Sequence, residues 1–141
     1  EIISLSAPQV NPSEPYEVVF IFPIHNALDM GRTAYDATRS SWTVSHQLRT
    51  AENTLAVGIA DGLSKGVFSI KDWKQLGGVG QWEFDGKPLQ NHSLDGKSWL
   101  AVIRTAMGYW QRGNYLVVEL DGNGKYRFIR GSADKSIWHP L

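Results

Sequence analysis

Residues 35–42 read Tyr35-Asp36-Ala37-Thr38-Arg39-Ser40-Ser41-Trp42, which gathers two aromatic rings, a carboxylate, several hydroxyls and a guanidinium into eight positions. Rings offer flat apolar faces, while hydroxyl and guanidinium groups offer directed hydrogen bonds, a combination suited to a planar, partly polar ligand. Tyr35 and Trp42 are the candidate stacking groups of this stretch, and Arg39 and Ser41 the candidate hydrogen-bonding groups. A second reading stands beside it, in which Tyr35 and Trp42 pack in the core and Asp36 and Arg39 form a solvated helical pair. Trp73 and Trp82 add two further indoles. Trp73 follows a run with strand character and either walls a ligand or plugs one end of the fold; Trp82 alternates with Phe84, so those two share a face.

The 14 Lys+Arg balance the 14 Asp+Glu, leaving no formal net charge, so any contact with a polyanion must come from a local patch. Over residues 32–49, Arg32, Arg39 and Arg49 face only Asp36; over residues 104–130, Arg104, Arg112, Lys125, Arg127 and Arg130 face only Glu119 and Asp121. Arg32, Arg49, Lys65, Arg104 and Arg112 are the candidate phosphate contacts, with ordinary interspersed surface charge as the competing explanation. Cysteine is absent, which excludes disulfides, thiolate metal sites and cysteine nucleophiles. His25, His46, His92 and His139 show no paired ligand spacing, so no metal and no cofactor is expected. His25 and Asp29 read as a local pair at a helix start, and the glycines at 77, 78 and 80 lack the Lys-Ser/Thr ending of a phosphate loop. A Ser-His-Asp triad draws on residues far apart in sequence and carries little weight here.

The elements that must position these groups follow from patterning. Residues 7–16 hold three prolines and read as a lead-in. Val18–Phe22 is a continuous β-branched and aromatic run ended by Pro23, as in a strand buried on both faces. A helix is expected over residues 26–39 and a further turn or two over 45–52. Asp61-Gly62 between residues 54–60 and 66–70 predicts a hairpin, and 81–84 a further strand ahead of Asp85-Gly86. Residues 98–111 have helical spacing, with a strand as the competing reading and Trp99 and Trp110 as core residues, and 115–120 and 126–130 flank a glycine-rich turn as a second hairpin. Trp138 is expected to dock the tail.

With 141 residues and 42% hydrophobic content, the chain suits a Pro-rich lead-in over 1–15 and one domain over 16–141. The fold class expected is α+β, a small, partly closed antiparallel β-barrel with two or three short helices. No apolar run approaches the roughly 20 residues of a membrane span, and residues 1–4 lack a basic start or signal core, so a cytoplasmic protein without membrane contact is expected. A chain opening on Glu1 is read as a trimmed form or a piece of something longer.

Residues 35–42 resemble the Tyr-Glu-Ala-Thr-Arg-Gly-x-Trp signature of small PUA-like modules related to EVE and ASCH domains. The likeness continues through Leu55-Ala56-Val57, Gly62, Gly66–Ile70 and Trp73 to Trp82-Glu83-Phe84-Asp85-Gly86, covering roughly residues 16–86. It departs at Asp36 and Ser40, and the C-terminal third does not align. The resemblance implies a PUA/EVE-like barrel that reads nucleic acid, DNA in preference to RNA, and accepts a flipped, sometimes modified base in an aromatic pocket. Such readers serve as specificity modules in restriction or defence proteins, so an effector domain or subunit, a nuclease or translocase, is the implied partner. The domain itself is read as non-catalytic. Two alternatives remain: a small nuclease or hydrolase on the same barrel using Asp36, His25 or Glu83 with Arg39, and a protein-interaction module anchored by exposed aromatics.

Overall fold

The computed structural model describes residues 18–39, 42–76, 80–107, 115–130 and 136–141. Ser41, Arg112 and Trp110 of the sequence expectations, and the Pro-rich lead-in, lie outside these described residues.

Seven strands form one mixed sheet: β1 (Val18–Pro23), β2 (Thr54–Ala60), β3 (Leu63–Gln75), β4 (Trp82–Pro88), β5 (Leu116–Leu120), β6 (Lys125–Arg130) and β7 (His139–Pro140), in spatial order β4-β3-β2-β1-β5-β6-β7. β4 and β7 are the two edges, so the described sheet is open, and the α+β class holds without a closed barrel. The expected, mostly antiparallel arrangement is corrected at the centre. β1 and β2 run parallel, in the register Val18↔Thr54 through Pro23↔Ile59. Parallel neighbours need a crossover, and residues 24–53 provide it with α1 (His25–Asp29), α2 (Ala34–Arg39) and α3 (His46–Arg49). The single helix expected over 26–39 is thus broken in two, with Gly31 at φ 87° between the halves. The expected turn over 45–52 forms as α3, capped by Ser45, whose Oγ accepts from the Leu48 amide.

Both hairpins form where expected. Asp61 and Gly62 turn β2 into β3, and the β5–β6 link is closed by Asp121 Oδ1, which accepts from the Asn123 and Lys125 amides at 2.7 and 3.0 Å. α4 (Leu100–Met107) falls inside the helix expected over 98–111, and Trp99 is fully buried beside it.

Alternation along the strands builds two apolar faces. One face collects Val19, Ile21, Leu55, Val57, Leu116 and Val118 beneath Trp99 and Val102. The other is aromatic: Phe20, Phe22, Phe84 and Tyr115 join Trp42 and Ala37 under the crossover helices. Gly58 lets α2 settle there, because a Cβ at that position would lie 2.2 Å from Thr38 Oγ1 and 2.7 Å from Ile24 Cδ1.

β3 is unusual in carrying two bulges. Gly58 pairs with Gly66 and Ile59 with Ser64, leaving Lys65 as the extra residue against β2. Ile70 pairs with Gly86 and Asp72 with Asp85, leaving Lys71 as the extra residue against β4. A one-residue insertion inverts the parity of everything after it. Phe68 and Ile70 face the aromatic side before the bulge, and Trp73, of opposite parity, joins them after it, 5.6 Å from the rings of both Phe20 and Phe84. Trp73 therefore lies within β3, not just past a strand, and β4 likewise runs straight through Asp85-Gly86 to Pro88.

Gly86 is the condition for the second bulge: a Cβ there would sit 1.9 Å from the Ser69 carbonyl oxygen, a backbone atom with no side-chain freedom to yield. Gly86→Ala is expected to destabilise the protein by about 1–3 kcal/mol, the usual range for forced overpacking. Urea unfolding followed by tryptophan fluorescence measures it; an unchanged midpoint would show that the strands part without cost.

Candidate functional site

The segment that sequence chemistry singled out lies against the outer edge of β4. A strand's backbone groups alternate between its two sides, so Trp82, Phe84 and Gly86 present theirs away from β3. Each meets a partner from residues 35–42. Tyr35 Oη accepts from the Gly86 amide at 3.1 Å, Arg39 Nε donates to the Phe84 carbonyl at 3.1 Å, and Trp42 exchanges backbone bonds with Trp82 at 3.0 and 2.8 Å. The two motif blocks of the sequence, Tyr35…Arg39…Trp42 and Trp82-x-Phe84-x-Gly86, are thus the two halves of one edge latch.

Charge reinforces the latch. Arg39 Nη2 lies 2.5 Å from Asp85 Oδ1 and 3.3 Å from Glu83 Oε2, and Lys74 Nζ lies 2.8 Å from Asp85 Oδ2. The hydrogen bond from Lys74, helped by Arg39, holds the Asp85 carboxyl below the usual carboxylate range, and Asp85 in turn raises Lys74. Arg39 also sits 5.1 Å over the Tyr35 ring. The Asp36–Arg39 pairing considered from the sequence is replaced by this longer-range one, and Asp36 is exposed.

Trp42, expected to stack on a ligand, is a core residue with 8% exposure. Its ring stacks on Phe22 at 4.4 Å, Tyr115 meets it edge-on at 5.9 Å, and its Nε1 donates to the Thr38 carbonyl at 2.8 Å. Trp82 is half-buried and carries the Arg49 guanidinium 3.7 Å over its ring. The candidate phosphate contacts do not form one footprint. Arg49 donates to the Val44 carbonyl and Arg32 to the Asp36 carbonyl on the crossover side, whereas Arg104 rides on α4, which packs on the opposite face.

Open space lies beside the latch. A cleft of about 580 Å³ is lined by Tyr35, Ser69, Lys71, Asp72, Asp85, Gly86 and Lys87. A second, of about 450 Å³, shares Tyr35 and adds Lys65, Gln90 and Asn91. A third, of about 340 Å³, shares Lys71 and adds Trp73, Arg49, Glu52 and Asn53. Each is large enough for a small-molecule or nucleobase site, which typically spans ~300–1,000 Å³. Two of the three lysines that border this run, Lys65 and Lys71, are the bulge residues of β3 and are exposed, and the break at Lys71 is the one that sets Trp73 inward. Sequence reading named Lys65, Arg49, Tyr35 and Trp73 but missed Lys71, because no local pattern marks a bulge in a strand, and Lys87, which reaches the cleft only through the pairing of β4 with β3.

His25 lies 3.2 Å from Asp29 and 3.6 Å from Asp61 on an exposed turn, the expected local pair with one addition. Gly62-Leu63-Ser64-Lys65-Gly66 has the spacing of a nucleophile elbow, yet Ser64 lies inside β3 with 5% exposure instead of at an exposed strand-to-helix turn. Among the described residues no group of three or more His, Asp or Glu could hold a metal ion, and no helix is long and apolar enough to cross a membrane. No protein-family model matches the chain, and no curated protein or solved structure matches it.

The latch is testable without a ligand. Arg39→Lys keeps the charge but loses the fixed fork that serves Phe84 and Asp85 together, and Tyr35→Phe removes the acceptor for Gly86; each is expected to cost about 0.5–1.5 kcal/mol in urea unfolding. Acid dependence supplies a second check. A depressed carboxyl contributes stability above its unfolded pKa and loses it as pH falls through the lower folded value. The wild type is expected to weaken as pH drops below about 4, and Asp85→Asn to weaken less steeply over that interval; identical slopes would remove Asp85 from the account.

Proposed function

We propose that this chain is a non-catalytic nucleic-acid reader that tracks a strand along β3 and lodges one extruded base in the cleft beside Tyr35. The observation that carries the reading is the run of three adjoining clefts joined through Tyr35 and Lys71. Each cleft has at least one cation at its border, Lys65 at one end, Lys71 and Lys87 in the middle and Arg49 at the other, interspersed with the carboxylates of Asp95, Asp72, Asp85 and Glu52. Lys65 and Lys71 are six positions apart on β3, so roughly 20 Å of strand separates the two bulges, enough for several nucleotides. Aromatic side chains in a basic groove are the general solution for holding single-stranded or extruded bases. Tyr35 and Trp73 provide rings at successive clefts, and Trp42 supports the floor from within the core.

The resemblance of residues 35–42 and 82–86 to PUA-like EVE and ASCH modules supports the same reading, with DNA favoured over RNA. In it the open sheet corresponds to a partly closed barrel, and the latch explains why the two motif blocks occur together. A specificity module of this kind would deliver an effector, a nuclease or translocase, to its target.

Binding of a fluorescein-labelled single-stranded DNA, followed by anisotropy over a range of salt, tests the proposal. The logarithm of the affinity is expected to fall linearly with log salt, and Lys65→Ala and Lys71→Ala each to weaken binding and reduce the slope by about 0.7, one phosphate contact apiece. Absence of binding, or binding indifferent to salt, overturns the reading.

A further inference from the structure

Resting on that reading, we infer that the cleft beside Tyr35 selects bases that carry an exocyclic amine over the keto bases uracil and thymine. The inference comes from what the cleft offers at fixed positions. Its lysines, Lys71 and Lys87, are exposed, flexible side chains suited to phosphate oxygens at the rim. Asp85 is different: Oδ1 is tied to Arg39 at 2.5 Å and Oδ2 to Lys74 at 2.8 Å, so its carboxylate is held ionised and immobile at the wall.

An ionised carboxylate only accepts hydrogen bonds, and its two oxygens have about four lone-pair sites between them. Arg39 and Lys74 use one on each oxygen, which leaves acceptor capacity for a ligand. Asp72, opposite Asp85 in the β3–β4 register and lining the same cleft, adds a second acceptor. Cytosine meets a carboxylate with its N4 amine as donor, and adenine does so with N6. Uracil and thymine present carbonyl oxygen at the position where cytosine has its amine, setting lone pair against lone pair. A pre-positioned, charge-fixed acceptor discriminates because it cannot rotate away from the wrong partner, whereas a free carboxylate would.

Oligo-dC and oligo-dU of equal length make the sharpest comparison, since their bases differ only in the group at C4 and the N3 proton that accompanies it. Anisotropy competition at one salt concentration is expected to give at least about fivefold tighter binding for oligo-dC. Asp85→Asn, whose amide both donates and accepts, is expected to bring the two oligonucleotides to near-equal affinity while retaining salt-dependent binding; Asp72→Asn serves as the variant outside the latch and should narrow the ratio. Equal affinity of the wild type for both, or an unchanged ratio in both variants, overturns the selection and leaves the nucleic-acid reading standing. If neither oligonucleotide binds, both the selection and the nucleic-acid reading are overturned.

Discussion

The outer edge of β4 is the constraint on which the rest of the structure depends. An edge strand leaves every second residue's amide and carbonyl unpaired, and such a row either meets water, recruits another chain or is covered. Here it is covered from within by a helix and the residues that follow it. A phenol oxygen, a guanidinium nitrogen and a backbone pair land in succession on Gly86, Phe84 and Trp82. Hydrogen bonds of this sort contribute little net energy one at a time, but an unpaired buried group is expensive, so the three contacts fix α2 firmly against the sheet. Once α2 is fixed, Tyr35 is a partition between two clefts, and Ala37 and Trp42 close the aromatic face.

Charge around the latch divides into two populations. Arg39, Glu83, Asp85 and Lys74 neutralise one another and pin the edge of β4. Lys65, Lys71 and Lys87 are exposed and border the clefts. Of the carboxylates on this side Asp85 is engaged by the latch, while Asp72, Asp95 and Glu52 line the clefts alongside the lysines, so the clefts present both signs at separate positions. The β3 bulges contribute to that arrangement by placing an exposed lysine at each break in register.

Much of the scaffold was legible in the sequence. Asp61-Gly62 and Asp121–Gly124 marked both hairpins, the unbroken Val18–Phe22 run marked a strand covered on both faces, and Trp99 was readable as core. The parallel β1–β2 pairing was not, because a buried run looks the same whichever direction its neighbour takes. The bulges were invisible for a related reason: an extra residue changes which face a side chain occupies without changing composition. Residues 35–42 are chemically dense, but the partners of Tyr35 and Arg39 are backbone atoms and carboxylates some forty to fifty positions away. Donors aimed at a ligand and donors aimed at a distant strand have the same local spelling.

The central place of β1 has a consequence for how the chain must come together. Its neighbours are β2, which arrives only after the whole crossover, and β5, near the far end of the chain. Neither the segment before α4 nor the segment after it contains a complete hydrophobic sandwich, so native packing around β1 requires both. A nascent chain halted in the link between β4 and α4 would hold its most apolar strand unshielded on one side, the stage at which a chaperone has most to protect.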